Sequence, residues 1–229
     1  CRKLPPTPEI RSNADGIRPH VTGDIARGAD PGGMHVVLLS CSYIPIEIPL
    51  AAGIPAKRAL FDGPVAPSEG YLPRDYCPYA KAFVRQYGRG DIIALAGSCD
   101  PMRRVYDVLR YWGLAHTVRF VDVPRASHPG AAAFYAAELQ EFARSLLEPI
   151  GALDGDSSAR AGDPSNSRFQ RSLTLAVETM NEIRRGIGEI HRLQSQGRVS
   201  GSVALEVALN VNELLAGGFD GIIGGGTLT

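Results

Sequence analysis

Net charge is the first thing this 229-residue chain lacks: 24 Lys and Arg are matched by 24 Asp and Glu. With no field of either sign, nothing draws the molecule to a phosphate backbone or an anionic surface, so nucleic acid is excluded as the expected partner. A long apolar run is missing too. The stretch MHVVLLSCSYIPIEIPLAAGIP is broken by Pro45, Glu47, Pro49 and Pro55, short of the roughly 20 uninterrupted residues that cross a bilayer. Cysteine is sparse, four in all, which excludes a disulfide framework. With no basic and apolar leader visible in a chain that opens at Cys1 rather than Met, the expectation is reduced thiols in a cytoplasmic protein without a membrane span. No G-x4-G-K-[ST] and no G-x-G-x-x-G segment occurs, which argues against a small nucleotide-binding module. The histidines, among them His128 in a loop and His191 on a helix, show no spacing that suggests a metal site.

The chain does have the balance of an ordinary folded protein, 44% hydrophobic and 21% charged, enough to build a core. Residues 1–33 show no sustained period and read as an irregular arm. From Met34 onward short apolar runs alternate with helical stretches, the pattern of a parallel sheet covered by helices. Strands are expected at 34–40, 56–61, 91–97 and 117–123, and helices at 45–53, 77–87, 101–112 and 131–147. The fold class is therefore α/β, a Rossmann-like parallel sheet over residues 34–150.

Residues 151–166 are rich in Gly, Asp and Ser and read as a linker. Ser167 with Gln170 suggests a capping box. Beyond it Leu173, Ala176, Met180, Ile183, Ile187 and Ile190 recur at steps of three and four, the seam of one helix over 168–196. At 1.5 Å per residue that helix is ~40 Å long and has to bury its seam on a partner surface. A second helix is expected over 202–216, stopped by Gly217 and Gly218. Residues 167–229 then form a helical connector, with a second globular unit beyond.

Three cysteines are placed where chemistry can use them. Cys99 follows the strand at 91–97 and precedes a helix with Asp100 as expected N-cap and Pro101 at its first position. Cys77 precedes Pro78 and another helical run. Cys41 ends the first strand, so the three are expected to converge on the carboxyl edge of the sheet, where open α/β folds place their ligands. A helix N-terminus lowers a thiol pKa and favours an anionic group held there. The competing reading is that each free cysteine is a small buried hydrophobe. Cys77 and Cys99 are far apart in sequence with no histidine beside either, which suits thiolate-held iron and sulfide better than zinc.

Three segments, CSYIPIEIPLAAGIP (41–55), DYCPYAKAF (75–83) and SCDPMRRVYDVL (98–109), occur in that order. Together they resemble the 2-hydroxyacyl-CoA dehydratase and benzoyl-CoA reductase subunit family, which includes double-cubane-cluster proteins. The resemblance covers 34–148 and extends more loosely over 180–190 and 199–202. It implies that Cys77 and Cys99 are ligands of an iron–sulfur cluster, either 4Fe–4S or double-cubane. A third ligand would lie in a second α/β domain absent here, which makes this chain an N-terminal portion. It also implies an electron passed from an ATP-dependent activator protein to a CoA-thioester substrate, and a homo- or heterodimer with a related subunit. The activity is then that of a lyase or an oxidoreductase within a complex, or else the chain is a noncatalytic or electron-relaying partner subunit shaped by the seam at 173–190.

Two departures from the family pattern stand out. The interval between Cys77 and Cys99 is short, and the usual acidic pair after the proline is Ile46 and Glu47, leaving one carboxylate. Glu47 has two readings, an acid or base beside the cluster or a solvated glutamate at a helix start. Ser42 is a candidate to hydrogen-bond substrate or a cluster sulfide, set against a local backbone bond. Cys41 is a candidate to complete the cofactor site. Arg103 and Arg104 are either contacts for CoA phosphates or a solvated pair.

Overall fold

The computed structural model describes residues 36–61, 70–86, 92–115, 117–147 and 164–218. The expected arm at 1–33 and nearly all of the linker at 151–166 lie outside these residues. Ten elements follow in chain order: β1 (Val37–Leu39), α1 (Glu47–Ala51), β2 (Ala56–Arg58), α2 (Pro78–Gln86), β3 (Ile92–Ala96), α3 (Asp100–Tyr111), β4 (Thr117–Val121), α4 (Ala131–Leu147), α5 (Ser167–Ser195) and α6 (Gly201–Ala216).

The four strands pair in parallel in the order β2-β1-β3-β4. Val37 stands beside Ala56 on one side and Ile92 on the other, while Ile92 stands beside Thr117. Parallel strands buried on both faces need continuous apolar sequence rather than alternation, and β3 is buried at all five positions. Helices cover both faces. Val37, Leu39, Ala94 and Ala96 face a core completed by Ile44, Ile48, Phe142, Phe169 and Met180, from the region of α1, from α4 and from α5. Ile93 and Leu95 face the opposite way, onto Phe83, Met102, Val105 and Leu109 of α2 and α3. The chain therefore winds outward in two directions from β1 and β3. A crevice opens between their carboxyl ends, the switch point of a doubly wound sheet.

Local chemistry sets most boundaries. Helix α1 stops at Gly53, whose φ of +76° suits a residue without Cβ, and its N–H donates to the Leu50 carbonyl at 3.0 Å. The second strand is shorter than expected, Ala56–Arg58 rather than 56–61. As an edge strand it is bracketed by α6: the Arg58 N–H donates to Asn212 Oδ1 at 2.7 Å, and Asn212 Nδ2 donates to the Arg58 carbonyl at 3.1 Å. One side-chain amide thus takes the place of a neighbouring strand and blocks the open edge.

Two expected caps differ. Cys99, not Asp100, is the N-cap of α3, so the thiol itself belongs to the cap residue. At α5 the N-cap is Asn166, whose side chain accepts from the Arg168 N–H at 2.9 Å. Gln170 donates to the Pro164 carbonyl at 2.7 Å instead of closing a box with Ser167. An Asn one residue upstream offers the same acceptor geometry, and proline at 164 presents a free carbonyl. The first half of the α5 seam is covered within this chain: Leu173, Ala176, Met180 and Ile183, with Phe169, join the core beside α1, and Ile187 and Ile190 do not.

Candidate functional site

The crevice between β1 and β3 is built from residues just past each strand. Ser40 is buried, and its hydroxyl accepts from the Ala96 N–H at 3.0 Å, fastening the two strands where the ladder ends. Tyr79, on α2, donates from its hydroxyl to the Ser40 carbonyl at 2.5 Å and lies 3.2 Å from the Ala59 carbonyl. It ties the ends of β1 and β2 to the helix that follows Cys77. Cys41 and Ser98 then meet across the crevice, Sγ to Oγ, at 3.9 Å.

Beyond Ser98, Cys99 is exposed and extended at the start of α3, with its carbonyl accepting from the Arg103 N–H at 3.3 Å. Cys77 is half-buried at the start of α2, with its carbonyl accepting from the Lys81 N–H at 3.1 Å. Tyr76 precedes Cys77 and packs with it against the α2 and α3 core. Burial pushes its phenol above the ordinary value; Arg104 opposes this, while Asp100, Cys77 and Cys99 add to it. Cys77 and Cys99 thus stand at the N-termini of two helices on one face, while Cys41 packs with the core on the opposite face of the sheet. Among the described residues no three His, Cys, Asp or Glu side chains gather as a metal group, so the three thiols do not form one cluster.

The arginines of SCDPMRRV are both paired. Arg103 Nη2 lies 2.6 Å from Asp122 Oδ1 and 3.3 Å from the Gly97 carbonyl, and its guanidinium stacks over Phe120 at 5.3 Å. Gly97 is required by this arrangement, because a Cβ there would stand 2.7 Å from Asp122 Oδ1 and 2.8 Å from the Phe120 ring. Arg104 is exposed, 3.6 Å from Asp107. Nearby, Arg125 binds Asp100 at 2.8 Å, which lowers the Asp100 pKa.

Glu47 is not solvated. Its side chain is 7% exposed, and Oε1 accepts from Arg184 Nη2 on α5 at 2.5 Å, while Oε2 is buried with no partner. Burial follows from geometry: α1 is so short that its first turn lies under α5. Arg58 is the neighbouring cation, its Nη1 donating to the Cys41 carbonyl. Burial lowers the Arg58 pKa; Cys41 and Glu47 counter that, and Arg184 adds to it. Ser42 is exposed and lines two cavities together with Arg58 and Arg184. The structure therefore splits the expected site: Ser42 and Glu47 join Arg58 and Arg184 on one face, and Tyr76, Cys77 and Cys99 stand on the other.

Sequence reasoning missed Tyr79, Arg58, Arg184 and Asn212. Tyr79 lies in the CPYAKAF segment and was within reach of the motif. The other three act across the fold, and no local pattern marks them.

A parallel sheet covered by helices, with a crevice at its switch point, defines a doubly wound α/β protein. Residues 41–215 match the family described as 2-hydroxyglutaryl-CoA dehydratase, D-component, and the chain belongs to that family. Among curated proteins it is similar to one from Escherichia coli (strain K12) named "Putative dehydratase subunit YjiM". The two are 24% identical over 154 residues, covering 62% of this chain and 39% of that protein. The chain thus spans about two fifths of the length of this relative. Among the described residues no helix is long and apolar enough to cross a membrane.

Proposed function

We propose that this chain is an iron–sulfur subunit of a 2-hydroxyacyl-CoA dehydratase or benzoyl-CoA reductase-like complex. The observation that carries the reading is the placement of Cys77 directly before α2 and of Cys99 at the N-cap of α3, two helices on the same face of the sheet, within the stretch that matches the family. Thiolates are the ligands such clusters take, four for a cubane. These donors have the right chemistry and half the number, so the remaining ligands come from outside the described residues or from a related subunit. When bound, the cluster supplies a low-potential electron, received from an ATP-dependent activator protein, to a CoA thioester.

The chain's own residues do the rest. Unpaired N–H groups at the two helix starts stabilise negative charge held beside them. Exposure of Cys99 leaves it open to a further ligand or partner. Tyr76 carries its phenolic proton, which burial holds more tightly still, and can donate one hydrogen bond to an acceptor beside it. Glu47 is committed to Arg184, so an acid–base role for it requires that pair to open.

The test is anaerobic reconstitution with iron and sulfide, read by visible absorption, iron and sulfide analysis, and electron paramagnetic resonance of the reduced sample. Cys99→Ala and Cys77→Ala are expected to lose most of the iron, and Cys1→Ala to keep it. Equal iron in all three sinks the assignment. A folded, colourless protein favours the alternative, a noncatalytic partner subunit.

A further inference from the structure

Helix α5 is docked over only part of its 29 residues. Its first half is held by Phe169, Ala176 and Met180 in the core, with Leu173 and Ile183 packed against them. The last tie from α5 to the body of the fold is the ion pair of Arg184 with Glu47. On α6 the ties resume at Val211, which packs on the same core, and at Asn212 and Glu213, which hold Arg58 and Lys57 of β2. Between these points, from 185 to 210, no described side chain belongs to either core. Among the described residues, the hydrogen bonds and ion pairs of this stretch stay within the hairpin, as in Arg185 to Glu182, Arg192 to Glu189 and Ser200 to Ser202.

Gly186 and Gly188 come immediately after Arg184, where the helix leaves the domain. Nothing in the fold asks for glycine at either position: neither has a positive φ, and a Cβ built on either meets no atom within 4 Å. A glycine inside a helix lowers helix stability by about fivefold relative to alanine, because its backbone loses more freedom on ordering. Two of them beside the last anchor therefore weaken α5 at the end of its docked half. Beyond them Ile187, Ile190 and Leu193 are only half-buried, and Val203, Leu205 and Leu209 of α6 are exposed. Few buried apolar contacts and a weakened helix are the conditions for local opening.

We propose that the outer half of the hairpin, residues 187–209, is an arm that opens as one unit on a hinge at Gly186 and Gly188, while the sheet, α1 and the docked half of α5 stay folded. Ala208, at the inner end of the arm, walls the cavity of about 400 Å3 together with Met180 and Arg184. Opening of the arm therefore uncovers that cavity on its α6 side. None of the residues involved is a proposed ligand of iron, so the device stands apart from the cluster reading.

The test is native-state hydrogen exchange of the full-length chain, resolved by residue. Amides 190–193 of α5 and 205–208 of α6 are expected to share one opening equilibrium, at least about tenfold more favourable than that of amides 176–183. Gly186→Ala and Gly188→Ala, combined, are expected to slow exchange in both legs of the arm by about fivefold for each substitution. Thr174→Ala, at an exposed position in the docked half, is the control for a general gain in helix stability and is expected to leave exchange in the arm unchanged. Equal protection along the whole of α5, or different opening equilibria for the two legs, overturns the proposal. Exchange in the arm that the glycine substitutions leave unchanged, or that Thr174→Ala slows as much as they do, overturns the hinge.

Discussion

The two faces of the sheet assemble their functional groups by different routes. On the α2 and α3 face, Tyr76 and Cys77 precede one helix and Cys99 caps another, so each thiol is set by the few residues around it. On the α1 and α5 face, Glu47, Arg58 and Arg184 meet from three distant parts of the chain, and Glu47 and Arg184 are 137 positions apart. Short-range placement makes the first group robust to changes elsewhere, since a helix start keeps its N–H groups as long as the helix forms. Long-range placement makes the second group depend on the docking of α5 and α6. A variant that loosens that docking is expected to disperse those charged groups and leave the cysteines in place.

The largest effect comes from breaking the scaffold that both faces share. Phe83 is fully buried among Tyr79, Phe61 and the α3 core, and Phe83→Ala is expected to cost about 3–5 kcal/mol in urea unfolding. A cost under about 1 kcal/mol would mean that α2 is not firmly seated and that Cys77 is not held against α3.

The next effect separates the two members of the Glu47–Arg184 pair. Arg184→Ala strands a buried carboxylate and is expected to cost about 3 kcal/mol. Glu47→Ala leaves a half-exposed guanidinium that water can solvate, so about 1 kcal/mol is expected. If the order is reversed, Glu47 is not buried as described. Asn212→Ala removes both hydrogen bonds to the Arg58 backbone and should lower stability by about 1–3 kcal/mol. Hydrogen exchange at β2 should rise while exchange at β3 stays constant. Uniform exchange across the sheet would contradict the edge role given to α6.

The smallest effect is one of pH. The folded Tyr76 pKa lies above its unfolded value, so the native state holds the phenolic proton more tightly. The resulting stability is fully present below the unfolded pKa of about 10 and is lost as pH rises through the higher folded value. Tyr76→Phe should flatten the alkaline fall in stability and leave neutral stability nearly unchanged. A steeper alkaline fall in the variant would reverse the sign of this assignment.

Much of the architecture was legible from the chain itself. The apolar runs at 91–97 and 117–123 needed only burial on two faces to become β3 and β4, and the helix at 131–147 was bounded as observed. The thiols at helix starts were legible because a proline one or two residues after a cysteine, Pro78 after Cys77 and Pro101 after Cys99, marks the first turn of a helix. Of the two readings of Glu47 the solvated one fails: a glutamate at a helix start normally faces water, and only the packing of α5 against α1 removes that water. The shortened β2 and the Asn166 cap were likewise decided by neighbours, α6 and Pro164.

By itself the sequence determined the order of strands and helices, the thiols at the starts of α2 and α3, and the motifs that the family shares. Periodicity, proline and glycine act over a few residues, and their signals survive without a fold. Tertiary structure alone decided that the first half of the α5 seam closes on its own chain, that Glu47 pairs with Arg184, and that Arg58 and Arg184 line the same cavities. Those outcomes depend on which surfaces exclude water from one another, and desolvation is a property of packed pairs rather than of any single segment.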